Sequence, residues 1–260
     1  MTRVRPRVSG QFLRGPNGAL AAVLWQPPAG MECTLAVLHV PAFGDEMNKS
    51  RRMVALQARA LAAQGATVAV LDPSGTGDSA GEFGDATWDA WVGDVRFAWS
   101  WLESVARAPR VLWGLRLGAL LCADAIAVAG VRPDAALLWQ PVLSGRAFFR
   151  QLLRLPTAQR MSRSAAADAA AQPGPAEVGG YAVNPSLVAA AESKSLETLA
   201  ILACPVTWLE NSITTPAVLS PAAAKVVAQW HAGGAKLDAS AIRGPSFWSS
   251  QEIAEAPELI

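Results

Sequence analysis

The sequence predicts an α/β fold, with a mostly parallel sheet of about eight strands and helices on both of its faces. The first observation is that short apolar runs alternate with longer segments of helical apolar spacing. The second is that 52% of the 260 residues are hydrophobic and 17% are charged, which suits a domain with a full core. Because parallel strands need crossover connections, this alternation favours a parallel sheet. We therefore expect a single domain over residues 1–260.

The candidate strands and helices follow from these patterns. Apolar runs predict strands at 20–25, 34–39, 67–71, 110–113, 135–139, 205–209 and 236–242. Helices are predicted at 53–64, 88–105 and 117–128, where apolar residues recur at spacings of three and four or the run is long and apolar. Gly65 is a suitable residue to end the first of these helices, and Asn48 or Ser50 is a candidate N-cap for it.

The pattern is weaker between residues 145 and 199, and the run after Arg163 is rich in alanine and close to low complexity. A long segment of this kind is typical of an insertion over the carboxyl edge of the sheet. We therefore expect a lid insertion at about 145–199, with a mobile stretch near 163–180.

Composition and charge exclude several classes of protein. The net charge of +1 gives no electrostatic case for binding nucleic acid. The apolar run 117–128 is too short to span a bilayer, and no apolar core follows the basic first residues, so we expect a cytoplasmic protein without a membrane span. Cys33, Cys122 and Cys204 lie far apart in apolar segments, which fits reduced thiols. We expect no metal site and no cofactor.

The most informative segment is Gly114-Leu115-Arg116-Leu117-Gly118. Its glycines match the frame G-x-S-x-G, in which a sharp turn from a strand to a helix exposes a nucleophilic serine. The flanking segments fit, because a buried strand is predicted before it and a helix after it. Arg116 occupies the serine position, and a guanidinium stays protonated and has no lone pair to donate. Arg116 is therefore not a nucleophile.

Four segments carry a resemblance to a known family. They are the run 39–53 with its Glu-Met-Asn-Lys-Ser-Arg-Arg sequence, the glycine-rich turn 72–81, the Arg116 segment and the segment 244–248. Together they resemble the α/β-hydrolase superfamily, and within it the exosortase A system-associated hydrolases of the type labelled hydrolase 2. The resemblance covers nearly the whole chain. It implies an α/β-hydrolase fold, a role in bacterial exopolysaccharide loci, hydrolysis of acyl esters or thioesters, and proteins of that pathway as partners.

The catalytic triad implied by this resemblance is degenerate. The nucleophile position is Arg116, the base position after the last strand is Ser246, and the acid region after the preceding strand offers Glu210. Of the two histidines, His39 ends a strand beside the loop where the resemblance implies an oxyanion hole, and we expect it to support that loop by a hydrogen bond. His231 falls at the opposite end of the sheet. A relocated nucleophile would have to come from elsewhere, and the nominal candidates are Ser74, Ser79, Ser246 and Cys33.

Two roles are open for Arg116. It can pair internally with Asp45, Glu46 or Glu210, because an unpaired arginine at a half-buried turn is unfavourable. It can also face a ligand, since the helix N-terminus beside it favours anions. We expect a pocket built from Arg116, Glu46, Asn48, Phe43, Leu117, Ser246 and Trp248. The predicted function is binding of an anionic small molecule; the alternative is an ester or thioester hydrolase with a relocated nucleophile.

Overall fold

The computed structural model describes residues 5–161, 176–178, 180–199 and 203–260, and it contains an eight-stranded sheet and a separate two-stranded ribbon. The strands are β1 (Arg7–Gly15), β2 (Gly18–Gln26), β3 (Leu35–Val40), β4 (Ala66–Leu71), β5 (Arg110–Leu115), β6 (Ala135–Trp139), β7 (Ala176–Val178), β8 (Tyr181–Val183), β9 (Val206–Ser212) and β10 (Leu237–Arg243). β7 and β8 form the ribbon.

The large sheet has the strand order β1-β2-β4-β3-β5-β6-β9-β10. β1 and β2 form an antiparallel hairpin, and β2 also runs antiparallel to β4. From β4 to β10 the neighbouring strands are all parallel, so their carboxyl ends meet at one edge of the sheet. The predicted fold class, a mostly parallel sheet of eight strands, is confirmed.

Helices cover both faces of the sheet. They are α1 (Asp45–Ala63), α2 (Trp88–Val105), α3 (Leu117–Val128), α4 (Gly145–Met161), α5 (Pro185–Glu192) and α6 (Pro221–Ala232), with short 3₁₀ helices at Phe83–Asp85 and Pro257–Leu259. One hydrophobic core lies between the sheet and α1, where Met53 and Val54 meet Trp113. The larger core lies on the other face, under α2, α3 and α6.

The start of α1 differs from the sequence prediction. The helix begins at Asp45 rather than at residue 53, and its N-cap residue is Gly44, which makes no side-chain capping bond. Asn48 and Ser50 therefore lie inside the helix, and the prediction that one of them caps it is wrong. Its first turn carries Asp45 and Glu46 instead, which favour a helix N-terminus electrostatically. β1 was also not predicted, because its polar and apolar residues leave most of the strand exposed.

The region expected to form a lid contains α4, the β7–β8 ribbon and α5. It is tied to the sheet domain by Lys194, whose Nζ lies 2.9 Å from the buried carboxylate of Asp124 in α3. The Trp88 indole donates to the same carboxylate at 2.7 Å. Most of the stretch expected to be mobile, 163–180, lies outside the described residues.

Two general properties can be read from the described ranges. No helix in them has the length and apolar character required to cross a membrane. No cluster of His, Cys, Asp or Glu side chains in the same ranges is arranged to hold a metal ion. All of the cysteines are free, with Cys122 and Cys204 buried and Cys33 half-buried.

Candidate functional site

Arg116 occupies a strained turn between β5 and α3, with φ 55° and ψ −121°. The glycines on either side permit this turn. A Cβ on Gly114 would lie 2.7 Å from the Ala119 nitrogen, and a Cβ on Gly118 would lie 2.9 Å from the Val40 carbonyl carbon. A positive φ at a long side chain is unfavourable and is retained where the surroundings impose it. This turn, residues 114–118, is called the elbow below, and it presents Arg116 at the carboxyl edge of the sheet.

Glu46 in the first turn of α1 is the ion-pair partner of Arg116. The Arg116 Nη2 donates to Glu46 Oε1 at 2.9 Å, and the Nε lies 3.2 Å from each carboxylate oxygen. The two side chains are 19% and 18% exposed, so the pair is largely shielded from water. Of the three carboxylates proposed as partners from the sequence, Glu46 is the one that makes this contact.

Burial and the ion pair act on Glu46 in opposite directions. Burial raises the pKa of the Glu46 carboxyl above its ordinary value, and the charge and hydrogen bonds of Arg116 act against this increase. Arg116 therefore offsets part of the unfavourable effect of burying the Glu46 carboxylate. The guanidinium carbon also lies 5.2 Å from the centre of the Trp248 ring, a cation–π distance, and Nη1 lies 3.4 Å from the Gln140 carbonyl oxygen.

The loop after β10 brings Trp248 rather than Ser246 to Arg116. Ser246 is exposed, and its carbonyl accepts a hydrogen bond from the Ser249 N–H at 2.9 Å within a turn. The Asn211 side chain holds the loop by donating to the Pro245 carbonyl at 2.8 Å. An aromatic ring consequently stands beside the elbow residue, on the loop where the resemblance implied a base.

Glu210, in the region assigned to the catalytic acid, is buried and serves a helix terminus. Its Oε2 accepts a hydrogen bond from the Ser220 N–H at 2.9 Å. The Ser220 hydroxyl in turn accepts from the Ala223 N–H at 3.2 Å, which caps α6. Glu210 therefore stabilises the start of α6 by a hydrogen bond, and the adjacent Asn211 holds the loop that carries Trp248.

A cavity of about 530 Å³ lies beside the elbow, and Arg116, Glu210, Gln140 and Lys225 are among its lining residues. Three of the five guanidinium N–H groups of Arg116 are directed at Glu46 and the Gln140 carbonyl. One N–H on each terminal nitrogen is therefore left for a ligand. The ammonium of Lys225 lies 3.2 Å from Glu197 at the exposed side of the cavity.

The other predicted pocket residues line neighbouring cavities. Phe43 and Leu117 border a small space of about 20 Å³, where Phe43 packs on Phe83 and Phe149 at 5.2 Å between ring centres. Asn48 donates to the Tyr181 hydroxyl at 2.9 Å, in an open cavity of about 460 Å³ over the glycine-rich turn. The structure thus brings Arg116, Glu46 and Trp248 together and distributes the rest around them.

Neither histidine is arranged as a general base. His39 is buried below α1 and packs against Trp113 at 4.3 Å between ring centres, and burial lowers its pKa to about 3. His231 contacts the Leu237 carbonyl at the start of β10, far from the elbow. Among the described residues, neither ring is hydrogen-bonded to a serine or cysteine. Ser79, a nominal nucleophile, accepts a hydrogen bond from the Ala21 N–H at 2.8 Å and holds the glycine-rich turn.

Gln140 and Asn211 contribute to the site but were not predicted. Gln140 follows β6 with φ 42°, and its side-chain oxygen accepts from the Asn211 N–H at 2.7 Å. Its carbonyl faces Arg116, so one residue links the elbow to β9. Only the following Pro141 gives a local signal for this turn.

No protein-family model and no curated protein matches the chain. Solved structures do match. The structure of Est1E from Butyrivibrio proteoclasticus with ferulic acid bound has 18% identity to this chain and a TM-score of 0.65, over 93% of this chain and 92% of Est1E. An α/β serine hydrolase without a lid from Xanthomonas campestris has 16% identity and a TM-score of 0.56, over 93% and 87%. A serine hydrolase homologue from Coxiella burnetii has 14% identity and a TM-score of 0.55, over 92% and 89%.

Identities this low establish the fold and nothing finer. The superposition covers at least 92% of this chain in each of the three, so it includes the eight-stranded, mostly parallel sheet and its helices. The chain therefore has the α/β-hydrolase fold.

Proposed function

We propose that the protein binds an anionic small molecule at Arg116 and does not hydrolyse esters there. The observation that carries the proposal is the pairing of Arg116 with Glu46 on a strained elbow that opens into a cavity of about 530 Å³. The resemblance to exosortase A system-associated hydrolases suggests a ligand and partner proteins from exopolysaccharide production.

The chemistry of the elbow argues against ordinary serine hydrolysis. Arg116 has no lone pair to attack a carbonyl, and the indole of Trp248 beside it is a donor only and cannot act as a base. An enzyme stripped of its triad retains about 10³–10⁴-fold acceleration over water, from binding and the oxyanion hole alone. That residual rate is too low for a working esterase.

The electrostatics favour a carboxylate or a phosphate on Arg116. The N–H groups of Leu117 and Gly118 precede the first hydrogen bond of α3, which Ala119 donates to the Arg116 carbonyl, and they add positive potential at the same edge. Glu46 balances the guanidinium charge through the ion pair. An incoming anion bonds to the two remaining N–H groups of Arg116 and competes with Glu46 for the others.

Glu197 and Glu210 also line the cavity, and each carboxylate makes its own contact. Glu197 is paired with Lys225, and the carboxylate of Glu210 accepts the Ser220 N–H. Both carboxylates have acceptor capacity left over, so hydroxyl groups on the ligand suit that side of the cavity. A ligand with a carboxylate and hydroxyl groups therefore suits both Arg116 and the carboxylates of Glu197 and Glu210.

Ferulate is a suitable first probe, because it is a hydroxylated aromatic carboxylate and a structural neighbour was solved with ferulic acid bound. Isothermal titration calorimetry should detect ferulate binding to the wild type, and R116Q should weaken it at least about ten-fold. The matched control is R52Q, which removes an exposed arginine paired with Glu255 and should leave the affinity unchanged. Equal affinity in wild type and folded R116Q would contradict the proposal.

Methyl ferulate tests the alternative function, ester hydrolysis by a relocated nucleophile. The ester lacks the negative charge, so we expect weaker binding than for ferulate and no turnover above the uncatalysed rate. Release of ferulate measured by chromatography at a catalytic rate would overturn the binding-protein proposal. No contact among the described residues favours this alternative, since neither histidine reaches a serine or cysteine.

A further inference from the structure

A second cavity, of about 170 Å³, lies between α1 and the sheet, and Arg116 is not among its lining residues. Its walls are mostly apolar: Val23 and Trp25 of β2, Val54 and Ala55 of α1, Val70 of β4 and Leu115 of β5 contribute to them. An apolar cavity of about 150 Å³ is large enough to bind benzene. The space therefore suits a molecule with a single six-membered ring.

A buried histidine contributes to the wall of this cavity. His39 lines it and is 1% exposed, and its Nδ1 atom has no hydrogen-bond partner among the described residues. With its pKa lowered to about 3 by burial, the ring is neutral at physiological pH. A buried polar atom without a partner is unfavourable, so a ligand that supplies the missing hydrogen bond gains affinity.

The charged groups and the serine hydroxyl around the cavity are already paired. The Arg51 Nη2 lies 3.2 Å from Asp72 Oδ2 at the mouth, where the Arg51 side chain is 44% exposed. The Ser50 hydroxyl donates to the Glu46 carbonyl at 2.6 Å. A charged ligand would meet no unpaired counter-charge here, so the cavity favours an uncharged one.

We propose that this cavity is a second ligand site, and that it takes a small uncharged phenol or alcohol whose hydroxyl group bonds to His39. A hydroxyl both donates and accepts, so it completes the hydrogen bonding of Nδ1 whichever ring nitrogen carries the proton. The ring or alkyl part of the ligand fills the apolar space between Val54, Val70 and Leu115. The site is independent of the function proposed for Arg116.

Phenol and toluene test the proposal, because they have the same ring and differ in the hydroxyl group. Calorimetry on the wild type should detect phenol, and H39L should weaken phenol binding about ten-fold, the loss of one hydrogen bond to a buried partner. Toluene affinity should change by less than about two-fold, since it makes no such bond. Equal changes for the two ligands, or no binding of phenol to the wild type, would overturn the proposal.

A second variant tests the location of the site and leaves His39 unchanged. A55F places a ring into the cavity from a half-buried position on α1, and it should abolish phenol binding. Ferulate binding at Arg116 should be unchanged in A55F, which separates this site from the elbow cavity. Phenol binding that persists in folded A55F would contradict the assignment, and this test remains decisive if H39L does not fold.

Discussion

The Arg116–Glu46 ion pair should be the strongest single electrostatic contact at the elbow. We expect R116A to lower the free energy of unfolding by about 2–3 kcal/mol, and the double-mutant cycle with E46A to give a coupling energy of about 2 kcal/mol. Two unit charges about 4 Å apart interact by about 4 kcal/mol at an effective dielectric constant of about 20. The Arg116 and Glu46 side chains remain 19% and 18% exposed to water, and burying their charges is itself unfavourable, so the net coupling energy is smaller than this Coulomb energy.

The cycle is measured by urea unfolding at pH 8 on the wild type, both single variants and the double variant. Arg52 and Glu255 provide the matched control, because they are also an Arg–Glu pair, 2.7 Å apart, but their side chains are 55% and 41% exposed. The control cycle should give below about 1 kcal/mol. A coupling energy at Arg116–Glu46 no larger than that of the control would refute the reasoning.

Three other predictions follow from the same geometry. Burial raises the folded-state pKa of Glu46 above its ordinary value of 4.5, so the contribution of Glu46 to stability should fall as pH rises from there through the raised pKa. Buried His39, with its pKa lowered to about 3, and Asp94, with its pKa raised, also change stability with pH, so the readout is the difference in thermal unfolding between wild type and E46Q, which should shift in favour of E46Q as pH rises. The same difference between R116A and the double variant R116A/E46Q should extend to higher pH. E46Q should also bind ferulate several-fold more tightly in calorimetry, because the charge of Arg116 is no longer balanced; an unchanged or lower affinity would contradict competition between the ligand and Glu46. G118A should lose about 2–3 kcal/mol in urea unfolding, because its Cβ overlaps the Val40 and Pro41 carbonyls, whereas the control G93A, in an open helical position, should gain about 0.5–1 kcal/mol.

Local patterns predicted most of the fold. α2 and α3 have the bounds expected from the sequence, because α2 has an apolar stripe that faces the core and α3 is a long apolar run buried on nearly all sides. β1 was missed, since an exposed hairpin strand has little hydrophobic pattern to detect. The start of α1 was placed too late for a related reason: its first two turns are largely polar, and the helix there depends on Gly44 and the acidic first turn.

The site was predictable only in part. The glycine frame around Arg116 is a local steric requirement, so the elbow could be recognised in the sequence. Whether Asp45 or Glu46 meets Arg116 depends on which face of α1 each occupies. The sequence prediction starts this helix at residue 53, so it could not decide between them. Trp248 faces Arg116 because the Asn211 side chain holds Pro245, a contact between segments 34 residues apart that no local pattern encodes.

The most direct test of the central claim, that this α/β-hydrolase fold contains no activated serine, is labelling of the purified folded protein with a fluorophosphonate. The readout is intact mass followed by peptide mapping, with a serine esterase labelled in parallel as the positive control. We predict no adduct on this protein under conditions that label the esterase completely. A stoichiometric adduct on a serine would identify a working nucleophile and contradict the claim.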